Sequence, residues 1–432
     1  MTIVTVLAFF VLAAAVVLVA RGVDVRFVLF GSGLLLATLA GKPLVVFDAF
    51  LRTVGDEKIV GPICSAMGFA WVLRVSGSDR ELARFLIRPI RRVKWLLVPG
   101  GCAVGFVTNM AITSQTASAA AVGPILVPVM LAAGWHPILV GATLVLGCSA
   151  GGNLYNPGEA DIVTIQATTK APLVQILDRV FVPELVGFAV AVVVFTLFCR
   201  NTPREKVEPP LAFDSDIERK IEVGKALLPI LPIALLLILQ PRFHLVPALL
   251  ERYPEGVPVP HVMVFSTMVA MLVYRHEVGA QTRAFFEGMG FGFVHVISLI
   301  ITASCLIAGM EAAGLVSLLV SAVSGFGILA KFLSGAIPMA LGVLSGSGTA
   351  PSVAFSKAVL PSLSAVDLTA AIDIGLLGAI GATFGRTMSP VAAVVIFTST
   401  LVGCTPLQIV KRTGPALLIG FIPALAVVVL RS

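Results

Sequence analysis

Apolar residues in this chain come in long unbroken runs, not in the strand alternation or helical stripe of a soluble fold. Runs near 2–20, 25–40, 59–75, 136–170, 180–199, 225–240, 258–274, 292–309, 369–403 and 412–430 are each long enough for a complete crossing. About 20 nearly charge-free residues, wound as helix, span a hydrocarbon core. Two of the runs, 136–170 and 369–403, are longer than one span needs and are interrupted in the middle. Two further stretches, 93–133 and 326–366, are apolar at both ends and rich in Gly, Ser and Thr at the centre. Each of these is expected to enter and leave on one side, as a re-entrant helical hairpin. The expected fold is an all-α polytopic membrane protein.

The polar positions between runs orient it. With the N-terminus outside, the inner loops hold 19 Lys and Arg and the outer segments 9, the expected cytoplasmic bias. Counting either hairpin as a full crossing scrambles that split, and both termini are then expected outside. Segment 78–94 repeats Arg at three- and four-residue steps, as an amphipathic helix on the inner surface does. Segment 201–224 mixes both charges around Pro203, Pro209 and Pro210 and reads as a cytoplasmic link between halves. Met1–Ala20 lacks a basic start and is expected to stay as the first span.

Composition agrees. Mean hydropathy is +1.02 and only 12% of residues are charged, which excludes a soluble fold of this length. The net charge of +7 raises the question of nucleic acid, but aromatics are 7% and the basic residues lie between spans. No nucleic-acid partner is expected; the bilayer is. Six scattered cysteines form no CxxC and suggest neither disulfides nor a metal centre. No cofactor is expected.

Slid against itself by 233 residues, the sequence aligns Ser114 with Ser347, Thr116-Ala117 with Thr349-Ala350, Pro128 with Pro361, Gly152 with Gly385 and Pro157 with Pro390. Two repeats follow, 1–200 and 225–432, each with five crossings, one hairpin and one broken helix. Five is odd, so the second copy is expected to be inverted, a plan that recurs in secondary transporters.

Unpaired backbone at membrane depth persists only around a cavity or a solute. The polar interruptions lie at 108–116, 149–157, 344–349 and 383–390. Each exposes a helix N-terminus suited to an anion, while facing carbonyls and Ser, Thr and Asn oxygens suit a cation such as Na⁺. Pro157 and Pro390 fit the first turn of a resumed half-helix, with Asn156 and Ser389 as N-caps. Arg386, whose repeat mate is Asn153, is a charge at a depth where charges are costly and usually functional. It is expected to fork onto a substrate carboxylate or to stand where a second Na⁺ would; the structural alternative is a pair with Asp373. Glu159 and Asp373 are candidates for a coupling proton, and Glu159 and Asp161 otherwise serve a helix N-terminus.

Ser-Gln-Thr at 114–116 and Ser-Gly-Thr at 347–349 resemble the Ser-Asn-Thr hairpin tips of the divalent-anion/sodium symporters, within the ion transporter superfamily. The stretch Gly151-Gly152-Asn153-Leu154-Tyr155-Asn156-Pro157-Gly158-Glu159 and the chain length look closest to the anaerobic C4-dicarboxylate carrier branch (DcuC-type). The resemblance implies a homodimeric elevator carrier of the bacterial inner membrane. It would move a small carboxylate such as succinate or fumarate with Na⁺ or H⁺. It implies substrate-binding tips at Ser114, Gln115, Thr116, Ser347, Gly348 and Thr349, with Arg386. Flanking cation or substrate loops would hold Asn109, Gly152, Asn153, Asn156, Gly385, Thr387 and Ser389. Gln115 and Gly348 depart from the motif, so the two tips should be unequal. Alternatives are a Na⁺/H⁺ antiporter or another anion permease on the same plan. From another class, an intramembrane serine protease is the alternative, since Gly147-Cys148-Ser149-Ala150-Gly151 spells G-x-S-x-G, but no histidine is evidently paired to Ser149.

Overall fold

Charge-free runs fold as helix because only a helix satisfies its own backbone without water. The computed structural model describes residues 3–21, 23–90, 93–200, 220–239, 245–254, 256–274, 278–315 and 328–431. The first half contains α1 (Ile3–Ala20), α2 (Val25–Leu39), α3 (Leu44–Val54), α4 (Glu57–Ser76) and α5 (Ser78–Ile87). It continues with α6 (Leu97–Ala111), α7 (Gln115–Ala132), α8 (Pro137–Ser149), α9 (Ala160–Thr169) and α10 (Leu173–Arg200). The second half contains α11 (Val223–Ile238), α12 (Pro247–Arg252), α13 (Val259–Val273) and α14 (Val278–Ala312). It ends with α15 (Ile328–Ser345), α16 (Thr349–Ser364), α17 (Leu368–Thr387), α18 (Ala393–Val402) and α19 (Pro406–Leu430). Among the described residues, eight helical segments are long and apolar enough to cross a membrane.

Element bounds recur at the offset seen in the sequence: α9 and α18 start at 160 and 393, α10 and α19 at 173 and 406, both 233 apart. Helices α6–α10 and α15–α19 share one large apolar core, and smaller cores knit α2, α3, α4, α13 and α14. Within the large group, α8 lies on α6, α17 on α15, and α10 on α19. These crossings are backbone-close. Gly105 meets Gly147, and a methyl on Gly381 or Gly385 would overlap the carbonyl of Gly335 or Met339. Small residues permit such approach where lipid supplies no hydrophobic drive between helices.

The structure adds helix in two segments expected to lie between spans. Residues 44–54, between two expected spans, form α3, which packs on α14. Residues 278–283, expected in an inner loop, and 284–291 after them are helix continuous with the following span, carried through a π-helical turn at Phe293–Ile297. Of the connecting segment, 201–219 lies outside the described residues.

The predicted amphipathic stretch contains α5, whose Asp79 is buried and accepts the Arg80 N–H at 2.7 Å. Burial lifts that carboxyl to about 6 from 3.8. The folded protein therefore keeps this proton to higher pH than the unfolded chain, and stability falls as pH rises from about 4 to 6. The loss is at most about 3 kcal/mol. Asp79→Asn should melt several degrees above wild type at neutral pH in detergent, with the two curves meeting near pH 4. Parallel curves across that range would remove Asp79 as the cause.

Candidate functional site

The two hairpins turn on matching serines. Ser114 Oγ caps α7 by accepting the Ala117 N–H at 3.3 Å, and Ser347 Oγ accepts the Ala350 N–H at 3.2 Å, 233 residues on. Such caps order the tip and leave neighbouring N–H groups free for an anion. Gln115 folds back, its Nε2 donating to the Thr113 carbonyl at 2.9 Å. Thr116 is half-buried one residue beyond.

The breaks are less alike. Helix α8 stops at Ser149, Gly151 takes φ +99°, and a short 3₁₀ turn spans Gly152–Tyr155. Fully buried Asn109 ties the hairpin to this loop: its Oδ1 accepts the Asn153 N–H at 3.0 Å and its Nδ2 donates to Ile112 O at 3.0 Å. Asn156 Nδ2 adds a bond to Met110 O at 2.8 Å. A methyl on Gly152 would overlap the Phe106 carbonyl.

The proposed N-caps are corrected. Helices α9 and α18 begin at Ala160 and Ala393, three residues beyond Pro157 and Pro390. Asn156 Oδ1 instead accepts the Gly158 N–H at 2.9 Å, and Ser389 Oγ the Val391 N–H at 3.4 Å, two equivalent side-chain turns. Gly385, Arg386 and Thr387, expected in an unwound loop, are the last turn of α17. A cation there meets the negative end of the helix dipole.

Arg386 and Thr387 reach across to the end of α8. Arg386 Nη2 donates to Ser149 O at 3.0 Å and Nε to Ser149 Oγ at 3.4 Å; Thr387 Oγ1 donates to the same carbonyl at 2.8 Å. Ser149 Oγ and Thr387 Oγ1 are 2.9 Å apart. The Ser149 hydroxyl is thus held by Arg386 and Thr387, not by a histidine. Arg386 Nη1 lies against the second tip, 2.9 Å from where a Cβ on Gly348 would sit. The tip therefore lacks an amide side chain where the guanidinium needs the space. Asp373 is not the partner of Arg386; it takes a two-pronged bond from Arg179, Nε and Nη2 each at 2.7 Å.

A cavity of about 170 Å³ opens between the groups of helices. Its walls bring together Ser114, Gln115, Glu159 and Thr349 from the predicted set. Ile63 and Met67 of α4 and Phe291 and Val296 of α14, which the sequence did not point to, close the other side. This size is below the ~300–1,000 Å³ of drug-sized sites and suits a few-carbon solute.

Behind the cavity the Arg386 charge is surrounded by Glu159, Asp161 and Glu184, all buried. None forms an ion pair with it among the described residues. Glu184 was overlooked in the sequence, although an acid beside Pro183 inside an apolar span is a readable signal.

The sequence matches the C4-dicarboxylate anaerobic carrier family over residues 59–432. The chain belongs to that family. It is accordingly a membrane transporter and not an enzyme, and the G-x-S-x-G reading falls. The carrier is 30% identical over 235 residues to an uncharacterised transporter of Haemophilus influenzae, covering 54% of this chain and 83% of that one. It is 27% identical over 377 residues to a protein of Vibrio cholerae described as a probable anaerobic C4-dicarboxylate transporter, covering 82% and 78%. With the anaerobic C4-dicarboxylate transporter of Escherichia coli it shares 23% over 368 residues, covering 82% and 77%.

Proposed function

We propose that this protein is a secondary carrier of a small dicarboxylate such as succinate or fumarate in the bacterial inner membrane. The observation that carries this reading is the meeting of both hairpin tips at one cavity, with a guanidinium immediately behind the second tip. Capped tips offer helix N-termini to one carboxylate, and Arg386 offers a fork to the other. Hairpins and broken helices form two inverted repeats of five crossings each, 1–200 and 225–432, joined by a cytoplasmic link at 201–224, with both termini outside. The hairpins are re-entrant, and the repeats alternate access by an elevator motion of each protomer of a homodimer, driven by a cation gradient. The recurrence of element bounds supports this reading, as do the backbone-close contacts that bind each hairpin to its broken helix. The loops around Asn109, Gly152, Asn153 and Asn156 position the tips: apart from the unpaired Asn153 amide, their side chains are engaged in holding backbone.

The test is uptake of radiolabelled succinate by proteoliposomes holding the full chain. Saturable uptake competed by unlabelled fumarate but not by acetate is expected. No uptake under a Na⁺ or a pH gradient would remove the dicarboxylate assignment.

A further inference from the structure

We propose that Glu184 is the group that binds and releases the coupling proton. Glu184 is fully buried in α10, and neither carboxylate oxygen has a hydrogen-bond partner. The carboxylate presses on Gly151, where even a methyl group would overlap it. Gly151 is two residues from Ser149, whose carbonyl holds Arg386. Proton occupancy at Glu184 is thus felt by the loop that positions the guanidinium.

Among the described residues, no neighbouring group gives this acid a hydrogen bond or an ion pair. From the 3₁₀ turn, Tyr155 donates its hydroxyl to Phe181 O at 2.7 Å instead. From α17, Arg386 spends Nη2 and Nε on Ser149, and Asp373 is paired with Arg179 of α10 itself. From α9 and the residue before it, Asp161 and Glu159 add negative charge, and α6 has no charged residue. On α19, Arg412 acts on Cys199, far along α10 from Glu184. Three buried carboxylates facing one guanidinium leave an excess of two negative charges if all ionise, at a depth where that is prohibitive.

Position selects Glu184 from the three. Glu159 lines the cavity, and Asp161 sits in the first turn of α9, whose dipole favours its charge. Glu184 has neither. An arriving dianion worsens the charge excess, so proton and anion favour each other's binding. Release of the anion on the far side then lets the proton follow it to water.

The transport arm of the test rests on the proposed carrier function; the spectroscopic arm does not. In proteoliposomes, one coupled proton gives about tenfold succinate accumulation per pH unit. Glu184→Gln should lose that accumulation at least tenfold yet retain measurable succinate counterflow, while Glu184→Asp keeps the pH response. By infrared difference spectroscopy of the purified protein, wild type and Glu184→Asp should show a protonated buried carboxyl that Glu184→Gln lacks. An unchanged carboxyl band in Glu184→Gln, a wild-type response of that variant to a pH gradient, or uptake driven by Na⁺ alone would overturn the proposal. If succinate is not carried at all, the infrared comparison decides it.

Discussion

Arg386→Gln is expected to cut succinate uptake in proteoliposomes at least a hundredfold. The guanidinium is 6% exposed, at the C-terminal turn of α17, with two nitrogens on Ser149 and the third toward Gly348. A charge-assisted bond to a carboxylate contributes about 1.5–3 kcal/mol, and the upper figure is roughly a hundredfold in affinity. Glutamine also removes the cation that offsets Glu159, Asp161 and Glu184. Arg386→Lys should fall between, because an ammonium keeps charge but cannot hold Ser149 and an anion with one rigid fork. The readout is KM alongside the elution profile of the purified variant. A well-folded Arg386→Gln carrier with wild-type KM would make Arg386 a structural tie between α8 and α17.

Gly385→Ala should destabilise the detergent-solubilised protein by about 3 kcal/mol. The obstacle to its methyl is the Met339 backbone, carbonyl oxygen included, not a side chain that can turn aside. Helices α15 and α17 would have to separate along a line that also holds Gly335 and Gly381. A thermal melt of the variant, compared with Gly279→Ala on α14, where a methyl meets nothing within 4 Å, separates this clash from loss of a glycine as such. Equal melting of the two variants would show that the crossing can yield.

The apolar helices and the 233-residue offset were legible because each depends on hydropathy and on local turn chemistry. Ser114 and Ser347 were legible as a repeated tip motif, whereas their capping of the Ala117 and Ala350 N–H groups emerged only from the structure. The ends of the breaks were not. Pro157 and Pro390 looked like first-turn residues, yet Asn156 and Ser389 bond two residues ahead and delay the helix to Ala160 and Ala393. Arg386 looked as if it lay in a loop because Gly152 aligns with Gly385; α17 instead runs through it to Thr387. Partner choice was not legible either. Asp373 and Arg179 are 194 residues apart, and nothing local sends that carboxylate to Arg179 rather than to Arg386. On the far wall of the cavity, Phe291 precedes and Val296 lies within a π-helical turn that leaves no mark in hydropathy.

The two breaks differ: one helix ends at Ser149 before a left-handed glycine, while its counterpart runs on to Thr387 and carries the charge. On the proposed inverted plan, the outward- and inward-open forms would be mirror-equivalent only if those loops were interchangeable. They are not, and on that plan the empty carrier would rest more often facing one compartment. Maximal velocities and half-saturation constants then differ for influx and efflux, although the final accumulation ratio, fixed by the ion gradient, cannot. A transporter of this kind acts as a kinetic valve without being a thermodynamic one.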